Sequence, residues 1–340
     1  MVVTLPLIMI LLDYWPMKRF ESQEGNLWLW QMKEKLPFLI LSAVISIITI
    51  YAQPTIQLKN WPPPLESRII NSLGAFVVYL EKIFWPQGLT VSYPFLVRPP
   101  LWEIIGATLL IVFISAAAIL TIKKCPCFFV GWLWYIISLL PVIGIIQVGN
   151  NAMADHFTYL PLIGISIMLA WRTPLLFKSE NMHKMILFPA SLALLIILSI
   201  MAWIQCGYWK NSFTLFSHAL QVNEQNYQAH INLASYLVKK GNVSEAIDYY
   251  NKAIRIKPDQ SDAYNNRGIA YDKTGLYQRA IQDFNKAISL QPNHVDIYIN
   301  RANFYFNQGD KASGCRDAQK ACELGSCETL IVLKEKNLCD

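Results

Sequence analysis

The sequence has few charged residues and lacks the short motifs that mark common enzyme classes. Only 15% of its 340 residues are charged, well below the quarter that is usual in soluble domains. Its five histidines are scattered, and it contains no H-E-x-x-H, no P-loop and no G-x-S-x-G. These absences exclude the zinc proteases, nucleotide hydrolases and α/β-hydrolases that the motifs identify. Cys125 and Cys127 alone do not complete a metal site, so we expect no metal, and no cofactor is evident.

The amino-terminal segment lacks the positively charged start of a secretory signal peptide. Residues 1–12 are apolar, but Asp13-Tyr14-Trp15-Pro16 follows them where a signal peptide has small residues before its cleavage site. Twelve residues are also too few to cross a bilayer, which takes about 20. We therefore expect the chain to begin inside a membrane span, with the preceding part of the protein missing.

Hydrophobicity divides the chain near residue 208. The whole sequence is 54% hydrophobic with a mean hydropathy of +0.30, but the long apolar runs end before Tyr208, and polarity is ordinary after it. This division predicts a polytopic membrane domain over 1–207 followed by a soluble helical part. The predicted spans are 1–12 (incomplete), 36–53, 101–122, 127–148, 157–171 and 185–205.

Segment 68–85 has a different pattern. Its apolar residues recur at alternating steps of four and three: Ile69, Leu73, Phe76, Leu80 and Ile83. Glu81 and Lys82 lie off that stripe. This periodicity is typical of an amphipathic helix that lies in the membrane interface. A short span is the alternative.

The basic residues of the predicted loops give an orientation. If segment 68–85 is interfacial, one side of the membrane receives nine of them: Lys18, Arg19, Lys33, Lys35, Lys123, Lys124, Arg172, Lys178 and Lys184. On the opposite side, loop 149–156 has none and the long loop 54–100 has Lys59, Arg68, Lys82 and Arg98. Cytoplasmic loops carry an excess of lysine and arginine, so the carboxyl-terminal part is predicted on the outer or periplasmic side of an inner or cytoplasmic membrane. These loops also account for the net charge of +6, so the lipid bilayer is an expected partner and nucleic acid is not.

Residues 227–294 contain one pattern twice, at an offset of 34 positions (268 − 234, 292 − 258). The coinciding residues are Ala234 with Gly268, Gly241 with Gly275, Ala246 with Ala280, Ala253 with Ala287, and Pro258 with Pro292. This is the period of the tetratricopeptide repeat (TPR), a pair of antiparallel helices. Glycine ends the first helix of each pair, and proline stops the second. The pattern therefore predicts TPRs at 227–260 and 261–294.

Further segments extend the array. Residues 295–328 predict a degenerate third repeat, as expected where a solenoid ends in water. Residues 208–226 predict a partial repeat helix that connects the last span to the array, and 329–340 a carboxyl-terminal cap. The predicted fold class is all-α, a polytopic α-helical membrane domain followed by a TPR α-solenoid.

The repeats predict binding rather than catalysis in this half of the chain. Their first helices line a concave groove, which predicts a protein or peptide partner. On standard repeat geometry the groove residues are Asn265, Asp272, Asn303 and Phe306.

Four cysteines lie near the carboxyl terminus: Cys315, Cys322, Cys327 and Cys339. Outside a reducing cytoplasm they allow two disulfides, with three possible pairings. Four small buried hydrophobic residues are the alternative, and the sequence leaves both open.

Segment 149–161 places an acid, an imidazole, amides and a phenol in a short outer loop where a span begins. Ionisable groups at a membrane edge are candidates for function. Asp155, His156 and Tyr159 therefore form a candidate substrate or donor site. The alternative is that Asp155 and His156 only mark the boundary with water.

Several stretches of the chain resemble a known family. They are Leu11-Leu12-Asp13-Tyr14-Trp15-Pro16, Phe84-Trp85-Pro86 with Tyr93-Pro94, Ala154-Asp155-His156-Phe157-Thr158-Tyr159-Leu160-Pro161, and the junction Tyr208-Trp209-Lys210-Asn211-Ser212. Together they resemble the membrane proteins with carboxyl-terminal TPRs that are related to O-mannosyltransferases, in the glycosyltransferase-C superfamily. His156 and Phe157 stand where that family usually has Arg-Tyr, which argues against a role that needs a permanent positive charge there.

The resemblance implies transfer of a sugar from a polyprenyl-phosphate donor to an acceptor hydroxyl on the outer face. Such chemistry uses a carboxylate to remove the hydroxyl proton and cations to hold the departing phosphate. Arg68 and Arg98, in the outer loop 54–100, are candidates to meet that phosphate. The family's key acid lies in an outer loop that this chain is expected to lack. Three hypotheses stay open: a transferase-like protein, a non-catalytic membrane-anchored TPR scaffold, and a decayed relative that retains only folding.

Overall fold

A computed structural model describes residues 2–21, 25–52, 64–93, 100–145, 153–176, 183–336 and 338–339. Within these ranges the regular secondary structure is helical, apart from one isolated β-bridge between Tyr93 and Met153, and this confirms the all-α class. The described residues form two compact units, the first ending at Gly207 and the second beginning at Tyr208.

The first unit contains seven α-helices in the described ranges. They are α1 (Leu5–Tyr14), α2 (Leu27–Ala52), α3 (Leu65–Phe84), α4 (Leu101–Leu120), α5 (Pro126–Leu139), α6 (Tyr159–Leu176) and α7 (Phe188–Tyr208). An aromatic core joins α3 to α5, where Phe76 lies edge-on to Tyr135 at 4.9 Å and Trp132 stacks on Tyr135 at 5.5 Å. The Tyr135 hydroxyl donates to the Phe76 carbonyl at 2.7 Å. Buried aromatic rings of this kind contribute much of the packing energy of a small core.

Two helices of the described residues are long and apolar enough to cross a membrane, Leu101–Leu120 and Met185–Tyr208. Two other predicted spans, 1–12 and 127–148, fall on the shorter helices α1 and α5, which have 10 and 14 residues. Helices of that length do not reach across a bilayer. The polytopic membrane domain therefore remains a prediction.

Helix α3 spans the segment predicted as interfacial, and the face that it buries overlaps the predicted stripe only in part. Phe76 is shared, and Leu80 and Ile83 pack against the same core. Ser72, Ala75 and Tyr79 are also buried, whereas Ile69 is 45% exposed. Small side chains and hydrogen-bonding hydroxyls allow this face to approach other backbone closely, since Ser72 Oγ donates to the Ile143 carbonyl at 3.1 Å. The periodicity of apolar residues in a sequence does not predict such polar contacts. The interfacial location of α3 remains a prediction.

The second unit contains three antiparallel helix pairs with a helix on either side. The connecting helix is α8 (Ser212–Val222). The pairs are α9 (Tyr227–Lys239) with α10 (Val243–Ile256), α11 (Ser261–Lys273) with α12 (Tyr277–Leu290), and α13 (Val295–Asn307) with α14 (Lys311–Glu323); α15 (Glu328–Glu335) follows. Gly241, Gly275 and Gly309 end the first helix of each pair with φ of +88°, +76° and +82°, a conformation that favours glycine.

The four carboxyl-terminal cysteines form two disulfides, Cys315–Cys339 and Cys322–Cys327. This is one of the three pairings that the sequence left open. Both bonds fasten the segment after α14 to α14 itself, so the end of the solenoid is covalently closed.

Candidate functional site

The predicted outer-loop site is built around Asp155, which begins a 3-10 turn (Asp155–Thr158) just before α6. Its Oδ1 accepts a hydrogen bond from the Tyr93 hydroxyl at 2.8 Å, and its Oδ2 accepts one from the Thr90 backbone N–H at 3.0 Å. The Tyr93 backbone also pairs with Met153 in the β-bridge. Asp155 therefore ties the loop that follows α3 to the start of α6.

The surroundings of Asp155 disfavour its charge. Burial raises the pKa of Asp155 above its ordinary value, and the Tyr93 hydrogen bond and nearby Lys82 only partly oppose that effect. Burial and the nearby carboxylate of Asp155 also raise the pKa of Tyr93, so its phenol stays protonated and donates. Lys82 Nζ donates to the carbonyls of Gln87 at 2.8 Å and Gly88 at 3.2 Å. A carboxylate with a raised pKa is a better proton acceptor, but both of its oxygens already hold the loop.

The structure separates the other predicted site residues. His156 is exposed and lies against the Phe157 ring at 4.4 Å, and Tyr159 is 72% exposed. Arg68 Nη1 donates to the Ile145 carbonyl at 2.9 Å. It lies four helical turns before Lys82 on α3, roughly 20 Å along the helix axis. Arg98 is outside the described residues.

Sequence reasoning missed the residues that hold Asp155 in place. Tyr93, Thr90 and Lys82 come from the loop after α3 and from the end of α3 itself. Tyr79 belongs with them, because its hydroxyl accepts from the Ala154 N–H at 2.9 Å and lies 3.2 Å from the Ala154 carbonyl. One signal was available, since Tyr93-Pro94 is among the stretches that carry the family resemblance.

A second candidate site is the concave groove of the repeats. It has a volume of about 490 Å³ and is lined by residues of the first helices and the turns before them: Gln228, Ile231, Asn232, Asp262, Asn265, Asn266, His294, Asp296, Ile299 and Asn300. The amide of Asn300 donates to Asn265 Oδ1 at 3.1 Å, and Asn265 donates to Asn266 Oδ1 at 3.2 Å. Linked side-chain amides therefore cross from α13 to α11.

One of the four predicted groove residues, Asn265, is in this lining. Asn303 is exposed and Asp272 is half-buried, and both lie further along their helices than the groove residues. Phe306 packs in the interior of the third repeat instead. A Cβ on Gly314 would lie 2.7 Å from the Phe306 ring, so this glycine makes room for the ring.

The 34-residue alignment itself contained the missed groove residues. Asn232, Asn266 and Asn300 are separated by 34 positions each (266 − 232, 300 − 266), and all three line the groove. These polar positions lie between the small residues and helix ends that define the repeat.

Family models for the tetratricopeptide repeat match residues 261–294 and 284–315, and a TPR repeat model matches residues 234–275. The carboxyl-terminal unit therefore contains TPRs, as predicted.

Three curated proteins are similar to part of the chain. Protein O-mannosyl-transferase F38B6.6 of Caenorhabditis elegans is 29% identical over 132 residues, 39% of this chain and 19% of that protein. Protein O-mannosyl-transferase TMTC4 of Homo sapiens is 30% identical over 115 residues, 34% and 15% of the two chains. Protein O-mannosyl-transferase Tmtc3 of Drosophila melanogaster is 23% identical over 122 residues, 36% and 13%. The chain thus spans less than a fifth of the length of the curated relatives it matches.

Solved structures give a weak overall likeness. The crystal structure of MamA is 24% identical, covers 33% of this chain and 66% of its own, and has a TM-score of 0.31. The crystal structure of YrrB, described as a TPR protein with an unusual peptide-binding site, is 19% identical, covers 39% and 69%, and has a TM-score of 0.34.

Proposed function

We propose that the TPR unit binds an extended polypeptide in its concave groove. The observation that carries this proposal is the row of Asn232, Asn266 and Asn300, one on the first helix of each repeat. An asparagine amide both donates and accepts, so it can pair with the N–H and C=O of a peptide backbone whatever its side chains. A row with the spacing of the repeats suits a ligand that runs along the groove.

The charge of the groove sets a preference among polypeptides. Asp262 and Asp296 occupy the same position in successive repeats (296 − 262 = 34), and both line the groove. Two carboxylates favour lysine and arginine side chains and disfavour phosphates. We therefore propose a basic polypeptide, and no nucleic acid, as the partner.

We also propose that the first unit anchors this module in an inner or cytoplasmic membrane. Helix α4 and the segment Met185–Tyr208 have the length and composition of spans, and the second leads directly into the TPR unit. The two disulfides favour an outer or periplasmic location for that unit, since disulfides persist in oxidising compartments.

A second candidate function is sugar transfer from a polyprenyl-phosphate donor to a hydroxyl of the bound polypeptide. The partial similarity to three O-mannosyl-transferases favours it. Asp155, His156, Tyr159, Arg68 and Arg98 would then be the residues to test. In the described geometry Asp155 supports a loop, so the non-catalytic binding role is the better-supported one.

Binding is tested with the full chain in detergent, titrated with a fluorescent, unstructured lysine-containing peptide. We expect each of Asn232→Ala, Asn266→Ala and Asn300→Ala to weaken binding by about three- to ten-fold, since one hydrogen bond contributes about 1 kcal/mol. Gln282→Ala, an exposed residue on α12, a second helix of the repeats, is the control. Wild-type affinity in the triple variant would refute the proposal.

The transferase candidate needs a separate measurement. The same protein and a serine-containing version of the peptide are incubated with polyprenyl-phosphate mannose, and the peptide mass is measured. A glycosylated product that disappears in Asp155→Asn would support catalysis. Unmodified peptide, with binding intact, would favour the scaffold.

A further inference from the structure

The second and third repeats each contain a clamp that joins three helices. The guanidinium of Arg267 on α11 donates two hydrogen bonds to the Asp283 carboxylate of α12, at 2.7 and 2.8 Å. It donates a third to Asn251 Oδ1 of the preceding repeat at 2.6 Å. Arg301, Asp317 and Asn285 repeat this arrangement 34 residues later. The guanidinium group of each clamp is thus shared between one repeat and its neighbour.

The first repeat lacks this clamp. Subtracting 34 from Asn251, Arg267 and Asp283 gives Ser217, Leu233 and Tyr249. All three of these residues line a cavity of about 690 Å³ formed by α8, α9 and α10. The cavity is therefore the place where a guanidinium, a carboxylate and an amide would otherwise meet.

This cavity is distinct from the groove. Its α9 residues are His230 and Leu233, whereas the groove takes Gln228, Ile231 and Asn232 from the same helix. At about 100° per residue, the two sets lie on opposite sides of α9. The two sites can therefore be occupied independently.

A buried histidine is among the residues that line the cavity. His230 is 7% exposed, and its Nε2 lies 3.0 Å from the Glu224 carbonyl. A carbonyl only accepts, so Nε2 carries the proton and Nδ1 is an acceptor. Burial lowers the pKa of His230, which keeps the ring neutral, and Nδ1 is a buried atom without a hydrogen-bond partner in the described residues. Because solvent does not reach Nδ1, a ligand in the cavity does not reach it either, and His230 contributes a neutral wall to the cavity.

The rim of the cavity is cationic. Lys252 and Arg255 are exposed side chains of α10 that line it, and neither has an acidic partner in the described part of the chain. Glu224 also lines the cavity, so its charged lining residues leave an excess of one positive charge. Leu220 and Ile256 are half-buried and supply apolar surface.

We propose that this cavity is a second peptide site, which takes a segment of alternating acidic and apolar residues. A carboxylate meets Lys252 and Arg255, and an apolar side chain covers Leu220 and Ile256. A bare phosphate or carboxylate anion would leave this apolar surface uncovered, which is why the chemistry favours a peptide. This cavity would therefore prefer an acidic peptide, whereas the groove would prefer a basic one.

The full chain is titrated with a short acetylated peptide of alternating glutamate and leucine, and with its glutamine counterpart. We expect the glutamate peptide to bind about ten-fold more tightly, as two exposed charge contacts allow. In Lys252→Gln/Arg255→Gln this difference should disappear. Asn303→Ala, away from the cavity, should bind as the wild type does.

A second variant fills the cavity with residues that the fold already accepts. Ser217→Asn/Leu233→Arg/Tyr249→Asp rebuilds the clamp of the other two repeats and should abolish binding of the glutamate peptide. Retained binding of the lysine-containing peptide would show that this variant is folded. Equal affinity for the glutamate and glutamine peptides, or wild-type binding by the rebuilt clamp, would overturn the proposal.

Discussion

Lys35 of α2 and Asp13 of α1 form an ion pair with an N–O distance of 2.9 Å, and their side chains are 2% and 3% exposed. Arg19 and Gln31 also donate to Asp13, at 2.8 and 3.1 Å. Glu34 pairs with both cations, so the cluster has two acids and two bases. A buried charge is tolerated when it is paired and hydrogen-bonded, and this cluster is what joins α1 to α2.

Removing one partner of this pair should be costly. Asp13→Leu leaves the buried Lys35 ammonium with Glu34 alone, and we expect a loss of about 3 kcal/mol in the unfolding free energy of the first unit. Thermal unfolding in detergent measures it. Glu21→Gln, which removes the exposed pair with Lys18 at 3.8 Å, is the control and should have no measurable effect. Equal effects of the two variants would contradict the prediction.

The contribution of the clamp to stability can be tested by replacing its residues in the second repeat with those of the first repeat. Arg267→Leu leaves the buried Asp283 carboxylate unpaired, so we expect a loss of about 3 kcal/mol, visible as faster hydrogen exchange in α11 and α12. Arg267→Leu/Asp283→Tyr reproduces the Leu233 and Tyr249 of the first repeat and should recover most of this loss. No recovery in the double variant would mean that the rest of the repeat does not accept the apolar pair.

Asp155 should make the first unit less stable as the pH rises. Because its folded-state pKa is raised above 3.8, the folded state binds the proton more tightly than the unfolded state. Its favourable contribution is complete below that value and is lost as the pH rises through the raised pKa. Between pH 3.8 and the raised pKa of Asp155, the unfolding temperature of the wild type should fall as the pH rises. That of Asp155→Asn should change less. Tyr93→Phe removes a hydrogen bond to the ionised carboxylate, so it should shift the fall to higher pH.

The repeats could be predicted from the sequence because each small or helix-ending residue acts locally. Glycine at 241 and 275 ends a helix by its own conformation, whatever the rest of the chain does. The polar part of the face that α3 buries could not be predicted in this way. The burial of Ser72 depends on the Ile143 carbonyl, which accepts the hydrogen bond of its hydroxyl and lies 71 residues away in the sequence.

The same distinction applies to the candidate sites. Asp155 was selected because an acid beside a span is unusual, but its partners Thr90 and Tyr93 lie more than 60 residues earlier. No local pattern connects them. The position of Phe306 on its helix predicts a groove residue, but its ring occupies the space that the missing side chain of Gly314 leaves open. Sequence periodicity predicts which residues share a helix face. The size of the side chains on the neighbouring helix determines what that face contacts.

The disulfides should stabilise the end of the solenoid unequally. Cys315–Cys339 closes a separation of 24 residues and Cys322–Cys327 one of 5, and a longer closed loop restrains the unfolded chain more. We expect Cys315→Ser/Cys339→Ser to cost about 3 kcal/mol and Cys322→Ser/Cys327→Ser to cost less. Hydrogen exchange in α14 and α15 measures both effects, with α9 and α10 as the internal reference. If dithiothreitol leaves exchange in α14 and α15 unchanged, the bonds do not hold this region together, and the disulfide argument for an outer location loses its support.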